Sequence, residues 1–197
     1  MRIVQMRAST LYHGLCLALG ALGSGCMMDA GPDDPRGDGE ATAGAAITIN
    51  VNASYTFTGV QSNKCVGVQG ASTASTAPLD IETCNGTASQ RFRPESVGGG
   101  FFRLHNELSG LCLDVSGVST ADGAAILQFT CNTGLNQQWS FTDVAPAGER
   151  VTARHSGKVL DVTGQGTADG TLLEQWTSNN GTNQRFVLTP ALSAFAP

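Results

Sequence analysis

A triplet of glutamine, any residue and an aromatic residue occurs three times in this chain at a constant spacing. The copies are 47 residues apart, and they read Gln90-Arg91-Phe92, Gln137-Gln138-Trp139 and Gln184-Arg185-Phe186. Self-similarity with a period of roughly 20 to 50 residues indicates an array of supersecondary units, none of which buries its apolar face alone. The repeat therefore predicts one domain built from three like parts, preceded by an N-terminal extension.

Composition favours strands within these parts. The chain of 197 residues has 25 glycines and only 14% charged residues, and it is rich in Ser, Thr and Asn. Helices prefer Ala, Leu, Glu and Lys, whereas short strands joined by tight turns suit a weakly charged chain with many glycines. Asp-Gly turn signals follow at 122–123 and 169–170. We expect an all-β fold with about four short strands per repeat.

Four cysteines repeat in step with the triplets. Cys65 and Cys84 are 19 residues apart, as are Cys112 and Cys131, and the two pairs are offset by 47 residues. Four cysteines allow three pairings, but only Cys65 with Cys84 and Cys112 with Cys131 respects the repeat. The third repeat has no cysteine at the equivalent positions. A zinc site would need closely spaced ligand pairs such as Cys-x2-Cys, which are absent, so no metal is expected.

The first 25 residues have the layout of an export signal. Arg2 and Arg7 precede eight mostly apolar residues at 15–22, and small residues follow at 23–25. A basic start, a short apolar segment and a small-residue cleavage zone are typical of secretory signals, and so short a segment cannot cross a bilayer. The sequence therefore predicts an exported protein, in a compartment where disulfides persist.

Two readings of the end of this signal remain open. Residues 22–26 resemble a bacterial lipobox, in which Cys26 becomes the lipid-bearing N-terminus, although Gly23 stands where an aliphatic residue is expected. This reading predicts a cell-surface or outer-membrane lipoprotein. Ordinary signal cleavage, which leaves Cys26 as a free thiol, predicts a secreted protein instead. Residues 26–46 are rich in Pro, Gly, Ala and acidic side chains and are expected to form a flexible acidic linker.

A longer composite motif in the repeats resembles the ricin B-type lectins, also called family 13 carbohydrate-binding modules. In the second repeat it runs as Cys-Leu-Asp-Val, an aromatic residue fifteen positions after the aspartate, Cys-Asn, Asn-Gln and a closing aromatic residue. That family folds as a β-trefoil, a six-stranded barrel capped by three hairpins. The resemblance implies a β-trefoil over residues 47–190, with repeats at about 53–96, 97–143 and 144–190 and a tail at 191–197. The closing aromatics Phe92, Trp139 and Phe186 are then expected in the core.

The resemblance also implies sugar-binding residues in two of the repeats. A pyranose offers vicinal hydroxyls and an apolar face, so its site needs a planar side chain beside carboxylate and amide groups. The third repeat has the full set, whereas the second has Phe in place of the usual Trp or Tyr, which implies weaker binding. The residues expected to bind carbohydrate are Asp161, Trp176, Asn179, Asn183 and Gln184 in repeat three and Asp114, Phe129, Asn132, Asn136 and Gln137 in repeat two.

The first repeat departs from this pattern, and other roles remain possible in the second and third. Gly67 replaces the aspartate, Glu82 the aromatic residue and Ser89 the first asparagine, so repeat one is expected to be structural. In the other repeats the aspartates could be turn residues that accept bonds from backbone amides. The glutamines could likewise satisfy buried backbone groups.

These features predict a binding module rather than an enzyme. His105 and His155 are not at equivalent positions, and no Ser, Cys or Asp is spaced to form a nucleophilic triad with them. A glycosidase pair needs its carboxyl groups within about 5–9.5 Å, whereas Asp114 and Asp161 belong to separate lobes of a trefoil. No cofactor is expected.

The expected partners are glycans. Residues 47–197 carry eight basic and eleven acidic side chains, which argues against nucleic-acid binding. We expect a monomeric domain that meets a membrane only through a lipid anchor. The alternative is a trefoil that binds no sugar and acts as a scaffold or inhibitor in protein–protein interaction.

Overall fold

The structure, a computed structural model, describes residues 48–191. This part of the chain contains twelve strands, four in each repeat. Repeat one contains β1 (Ser54–Gly59), β2 (Cys65–Val68), β3 (Leu79–Glu82) and β4 (Phe92–Gly98). Repeat two contains β5 (Phe101–Asn106), β6 (Cys112–Val115), β7 (Ala124–Phe129) and β8 (Trp139–Asp143). Repeat three contains β9 (Glu149–Ala153), β10 (Val159–Val162), β11 (Thr171–Trp176) and β12 (Phe186–Ala191). The prediction of an all-β fold is confirmed.

Single turns of 3₁₀ helix flank the strands at repeated positions. One follows the second strand of each repeat, at Gln69–Ala71, Ser116–Val118 and Thr163–Gln165. Another precedes the fourth strand, at Ala88–Gln90, Leu135–Gln137 and Thr182–Gln184. No helix among the described residues is long and apolar enough to cross a membrane. The predicted signal, Cys26, the linker and the tail beyond Ala191 lie outside the described residues.

Six of the strands close into a ring. Antiparallel pairs join β1 with β4, β4 with β5, β5 with β8, β8 with β9, β9 with β12 and β12 with β1. The remaining strands form the hairpins β2–β3, β6–β7 and β10–β11, one in each repeat. Closure leaves the barrel without exposed edges. A six-stranded ring with three hairpins is the β-trefoil that the sequence predicted.

The three closing aromatics lie in the shared core. Phe92, Trp139 and Phe186 are at most 2% exposed, as expected from the repeat. The indole N–H of Trp139 donates to the carbonyl of Leu113 at 3.1 Å, so its one polar atom is satisfied. Phe57 meets Phe92 edge to face, with ring centroids 5.6 Å apart. Each buried aromatic side chain contributes roughly 1.5–3 kcal/mol of transfer free energy to the fold.

Both predicted disulfides are present. Cys65 is bonded to Cys84 and Cys112 to Cys131, so each of the first two hairpins carries its own crosslink. His105, Cys112 and Cys131 lie within 4.8 Å of one another, but neither sulfur is a free thiolate that could bind a metal. In repeat three, Val159 occupies the equivalent buried position without a crosslink.

Candidate functional site

The third repeat contains a shallow surface pocket of about 220 Å³ beside hairpin β10–β11. Two 3₁₀ turns complete its wall, one in the connection between β10 and β11 and one that precedes β12. Of the five residues predicted to bind carbohydrate in this repeat, Gln184 is the one outside the lining. The lining residues are Asp161, Gly164, Gln165, Glu174, Trp176, Asn179 and Asn183.

Strand alternation places the pocket residues on one face of the hairpin. Leu160 and Val162 are 1% and 2% exposed and point into the core, so Asp161 between them points away from it. In the register of the hairpin, Asp161 lies opposite Glu174. Trp176 follows Glu174 by two residues and therefore lies on the same face, with 40% of its surface exposed. The hairpin thus brings an exposed indole and two carboxylates into one pocket.

A network of side-chain amides holds Asp161 in place. Its Oδ2 accepts hydrogen bonds from Asn183 Nδ2 at 2.9 Å and from Gln184 Nε2 at 2.7 Å. No donor among the described residues contacts Oδ1, which leaves that oxygen available to a ligand. Burial raises the pKa of the Asp161 carboxyl, the two amides oppose this rise, and the negative charge of Asp122 adds to it. Asp161 is therefore not a turn residue that accepts bonds from backbone amides, because both of its partners are side-chain amides.

The glutamine of each triplet supports the site from behind rather than lining it. Gln184 is 1% exposed and Gln137 is not exposed at all, so neither offers surface to a sugar. Their contact with carbohydrate stays a prediction, and their burial favours a supporting role. Gln184 instead accepts a bond from the backbone N–H of Asn179 at 2.9 Å and donates to the carbonyl of Thr177. Gln184 thus links the loop after β11 to Asp161 by hydrogen bonds.

Repeat two repeats this arrangement around Asp114. Asp114 Oδ2 accepts from Asn136 Nδ2 at 2.9 Å and Gln137 Nε2 at 2.8 Å, and burial raises the pKa of its carboxyl. Phe129 is 39% exposed, as Trp176 is in repeat three. This pocket has a larger volume of about 460 Å³. Its lining residues are Thr76, Asp114, Ser116, Gly117, Val118, Leu127, Phe129, Asn132, Gly134 and Asn136.

One position gives the two pockets different chemistry. The residue opposite the aspartate in the hairpin is Leu127 in repeat two and Glu174 in repeat three. Leu127, Phe129 and Val118 give the pocket of repeat two an apolar wall. The sequence reasoning missed Glu174 because the position opposite the aspartate is visible only once the hairpin register is known.

In repeat one, Gly67 stands at the position of Asp114 and Asp161, so the carboxylate is missing there. A Cβ atom at Gly67 would lie 3.2 Å from Gln90 Cγ and 3.5 Å from Glu82 Oε2. The hydroxyl of Thr87 donates to Asn85 Oδ1 at 2.7 Å, and Asn85 is the one pocket asparagine of the motif that this repeat retains. That repeat one is structural stays a prediction, and the glycine in place of the aspartate is its physical basis.

Two glycines that the sequence reasoning overlooked make room for the pocket asparagines. A Cβ at Gly181 would lie 2.4 Å from Asn183 Oδ1, and one at Gly134 would lie 2.5 Å from Asn136 Oδ1. The same position in repeat one is Thr87, where Ser89 replaces the bulkier asparagine. The signal was available in the sequence, because the two glycines are separated by the 47-residue period.

Comparison with known proteins agrees with this geometry. The family model described as the ricin-type β-trefoil lectin domain matches residues 53–186. The designed threefold-symmetric protein ThreeFoil is 35% identical over 69% of this chain and 97% of its own, with a TM-score of 0.68. An exo-β-1,3-galactanase from Clostridium thermocellum is 36% identical over 73% of this chain, with a TM-score of 0.69, and the match covers 31% of that enzyme.

A more distant structure shares the fold. The ricin B-like lectin of Macrolepiota procera, solved in complex with lactose, is 17% identical over 73% of this chain and 99% of its own, with a TM-score of 0.64. At this identity the likeness concerns the fold alone. No match was found among curated proteins.

Proposed function

The chain belongs to the ricin-type β-trefoil lectin family, whose domains bind carbohydrate, and from this premise we propose that it binds glycans through two pockets. The pocket of repeat three is the stronger site and that of repeat two the weaker. Repeat one takes no part in binding. The domain works as a binding module with no catalytic step of its own.

The observation that carries this proposal is the exposed Trp176 beside Asp161 in one pocket. An indole that is 40% exposed offers a flat face to the apolar side of a sugar ring. Asp161 has one carboxylate oxygen free to accept bonds from adjacent hydroxyls, and such charge-assisted bonds are stronger than neutral ones. The amide network holds this carboxylate before the sugar arrives, which lowers the cost of ordering on binding.

The pocket of repeat two has an equivalent carboxylate, but its exposed aromatic ring is smaller than that of repeat three. Phe129 presents less stacking area than an indole and has no polar edge, so each sugar that it contacts is held less tightly. The larger volume of this pocket does not compensate, because affinity depends on the quality of the contacts rather than on area alone.

We also propose, from the N-terminal sequence, that the domain is exported from the cytoplasm. The signal-like segment and Cys26 support export followed by lipid attachment, with the acidic residues 27–46 as the tether to the membrane. Mass spectrometry of the mature N-terminus tests this, since a lipid-modified Cys26 is expected there and a cleaved end without lipid would indicate a secreted protein.

A glycan array with matched variants tests the binding itself. β-Galactosides are the first glycans to include, because one similar structure is an exo-β-1,3-galactanase and another was solved with lactose. We expect Trp176→Ala to reduce binding about 5- to 150-fold, since stacking of a ring on an aromatic side chain contributes about 1–3 kcal/mol where bases stack in nucleic-acid sites. Phe129→Ala should reduce it less.

The matched control is Glu82→Ala, at the equivalent position in repeat one, which should leave binding unchanged. Absence of any glycan ligand for the wild-type protein would refute the proposal and favour the scaffold alternative. Equal binding by the wild type and a Trp176→Ala, Phe129→Ala double variant would refute the assignment to these pockets.

A further inference from the structure

The pocket of repeat three contains a second carboxylate that the amide network does not use. Glu174 lies opposite Asp161 in the hairpin, and both residues line the pocket. Its Oε2 lies 3.6 Å from the position of a Cβ atom on Gly123, and the ring of Trp176 lies 3.8 Å from the same point. The carboxylate therefore lies beside the exposed indole. No donor among the described residues bonds the Glu174 carboxylate.

The surroundings of this carboxylate are negative. No Lys or Arg among residues 48–191 lines the pocket, and the nearby Lys158 is already paired with Asp122 at 2.6 Å. Burial raises the pKa of the Glu174 carboxyl, and the charges of Asp161 and Asp122 raise it further. The pocket thus holds two carboxylates with no cation among the residues that line it.

A buried acceptor without a donor lines the same pocket. Asn183 is 4% exposed, and its Nδ2 is satisfied by Asp161. Its Oδ1 has no hydrogen-bond partner among the described residues. Buried polar atoms are nearly always paired, so this unpaired acceptor adds to the negative potential of the pocket wall, which a cationic ligand would offset.

Resting on the proposed glycan binding, we infer that repeat three selects sugars that carry a protonated amino group, and that Glu174 sets this preference. An ammonium group is the substituent that donates to carboxylates with full charge assistance. It is also attracted to the face of an indole, and Trp is the strongest of the aromatic side chains in this respect. A neutral acetamido group at the same place would leave the Glu174 carboxylate without a counter-charge.

Repeat two provides the contrast within the same molecule. There Leu127 stands at the equivalent position, beside Phe129 and Val118. An apolar wall of this kind suits a methyl group and gives an ammonium no partner. The preference for an amino sugar is therefore assigned to one side chain rather than to the common framework of the pockets.

The test compares an oligomer of glucosamine with its fully N-acetylated counterpart by titration calorimetry at about pH 6, where an amine of this kind is protonated. An Asp114→Ala background removes the site of repeat two. We expect the glucosamine oligomer to bind about tenfold more tightly than the acetylated one. Glu174→Gln, which keeps the size of the side chain, should remove this preference and leave binding of a neutral glycan intact.

The reciprocal variant is Leu127→Glu in an Asp161→Ala background, which should give repeat two a preference for the amino sugar. An unchanged preference in Glu174→Gln would overturn the inference while leaving the proposed function standing, since neutral glycans would still bind. Loss of every glycan from the Asp114→Ala protein would instead contradict the proposed function. A lysine-rich peptide that binds as tightly, with the same dependence on Glu174, would show a general cation site and overturn the sugar preference.

Discussion

Asp80 occupies in repeat one the position that Leu127 and Glu174 occupy in the other repeats, opposite Gly67 in hairpin β2–β3. It is 1% exposed, and its Oδ1 has no hydrogen-bond partner among the described residues. Burial raises the pKa of its carboxyl from 3.8 to about 6, and the nearby charges of Glu82 and Asp169 add to the rise. A buried carboxyl without a cation opposes folding once it ionises.

The sign of the effect follows from proton linkage. Between its unfolded and folded pKa values, Asp80 binds more protons in the folded state, so the free energy of unfolding falls as the pH rises through this window. We expect Asp80→Asn to be more stable than the wild type at pH 7, by at most about 3 kcal/mol, and to gain little near pH 4. Urea unfolding at the two pH values measures the difference.

Asp122→Asn provides the control for this prediction. The Asp122 carboxylate accepts a bond from Lys158, which lowers its pKa, so its removal should not stabilise the protein at neutral pH. An equal gain from Asp80→Asn at both pH values would show that the effect comes from packing rather than from ionisation.

At the scale of the element, the hairpins differ in how they are held closed. The disulfides Cys65–Cys84 and Cys112–Cys131 each close a loop of 19 residues, whereas Val159 and Ser178 stand at the equivalent positions of repeat three. Hairpin β10–β11 nevertheless forms with the same register as its counterparts. The crosslink is thus not required for the hairpin conformation, and its contribution is to the free energy of unfolding.

The third repeat supplies the natural replacement for a test. A Cys112→Val, Cys131→Ser variant carries the residues that repeat three uses at these positions. We expect it to keep the trefoil fold and to lose about 3 kcal/mol of stability, because a closed loop of this length restricts the unfolded chain by that amount. Urea unfolding under oxidising conditions measures the loss. A loss below about 1 kcal/mol would mean that the unfolded state is little constrained by this bond.

The hairpins also show which parts of the site the sequence could reveal. Asp161, Trp176 and Asn183 were predictable, because they recur at fixed offsets from a recognisable strand and triplet. Glu174 was not, because its role depends on the cross-strand register: its counterpart in repeat two is the apolar Leu127, and its acidic counterpart in repeat one, Asp80, is buried. Comparison of the repeats identifies residues that are the same in each copy, whereas the chemistry of these pockets depends on a position at which the copies differ.

For the whole molecule, the repeat predicted the fold well for a physical reason. A single unit buries too little apolar surface, so three in-register units can satisfy their core only by closing around a common axis. The pairing of β1 with β12, which joins the two ends of the described chain, follows from that closure. The depth of burial of Gln137 and Gln184 did not follow, because a repeated polar residue can equally serve the core or the surface.

Two pockets on one rigid framework lead to a prediction about valence. The asparagine–aspartate networks of repeats two and three share no residues, so sugars should bind the two pockets independently in solution. On a polymeric glycan the second binding event becomes intramolecular, and avidity can exceed either single affinity by roughly 10²–10⁴.

We therefore expect Phe129→Ala to leave the affinity of repeat three for a short soluble glycan unchanged and to reduce retention on an immobilised polymer at least about tenfold. Calorimetry with the short glycan and surface plasmon resonance on the polymer separate the two effects. The loss on the polymer arises because one remaining pocket releases the surface in a single step, whereas two pockets must release together. Retention of Phe129→Ala on the polymer equal to that of the wild type would show that a single pocket holds the protein, and that the pocket of repeat two contributes nothing to avidity.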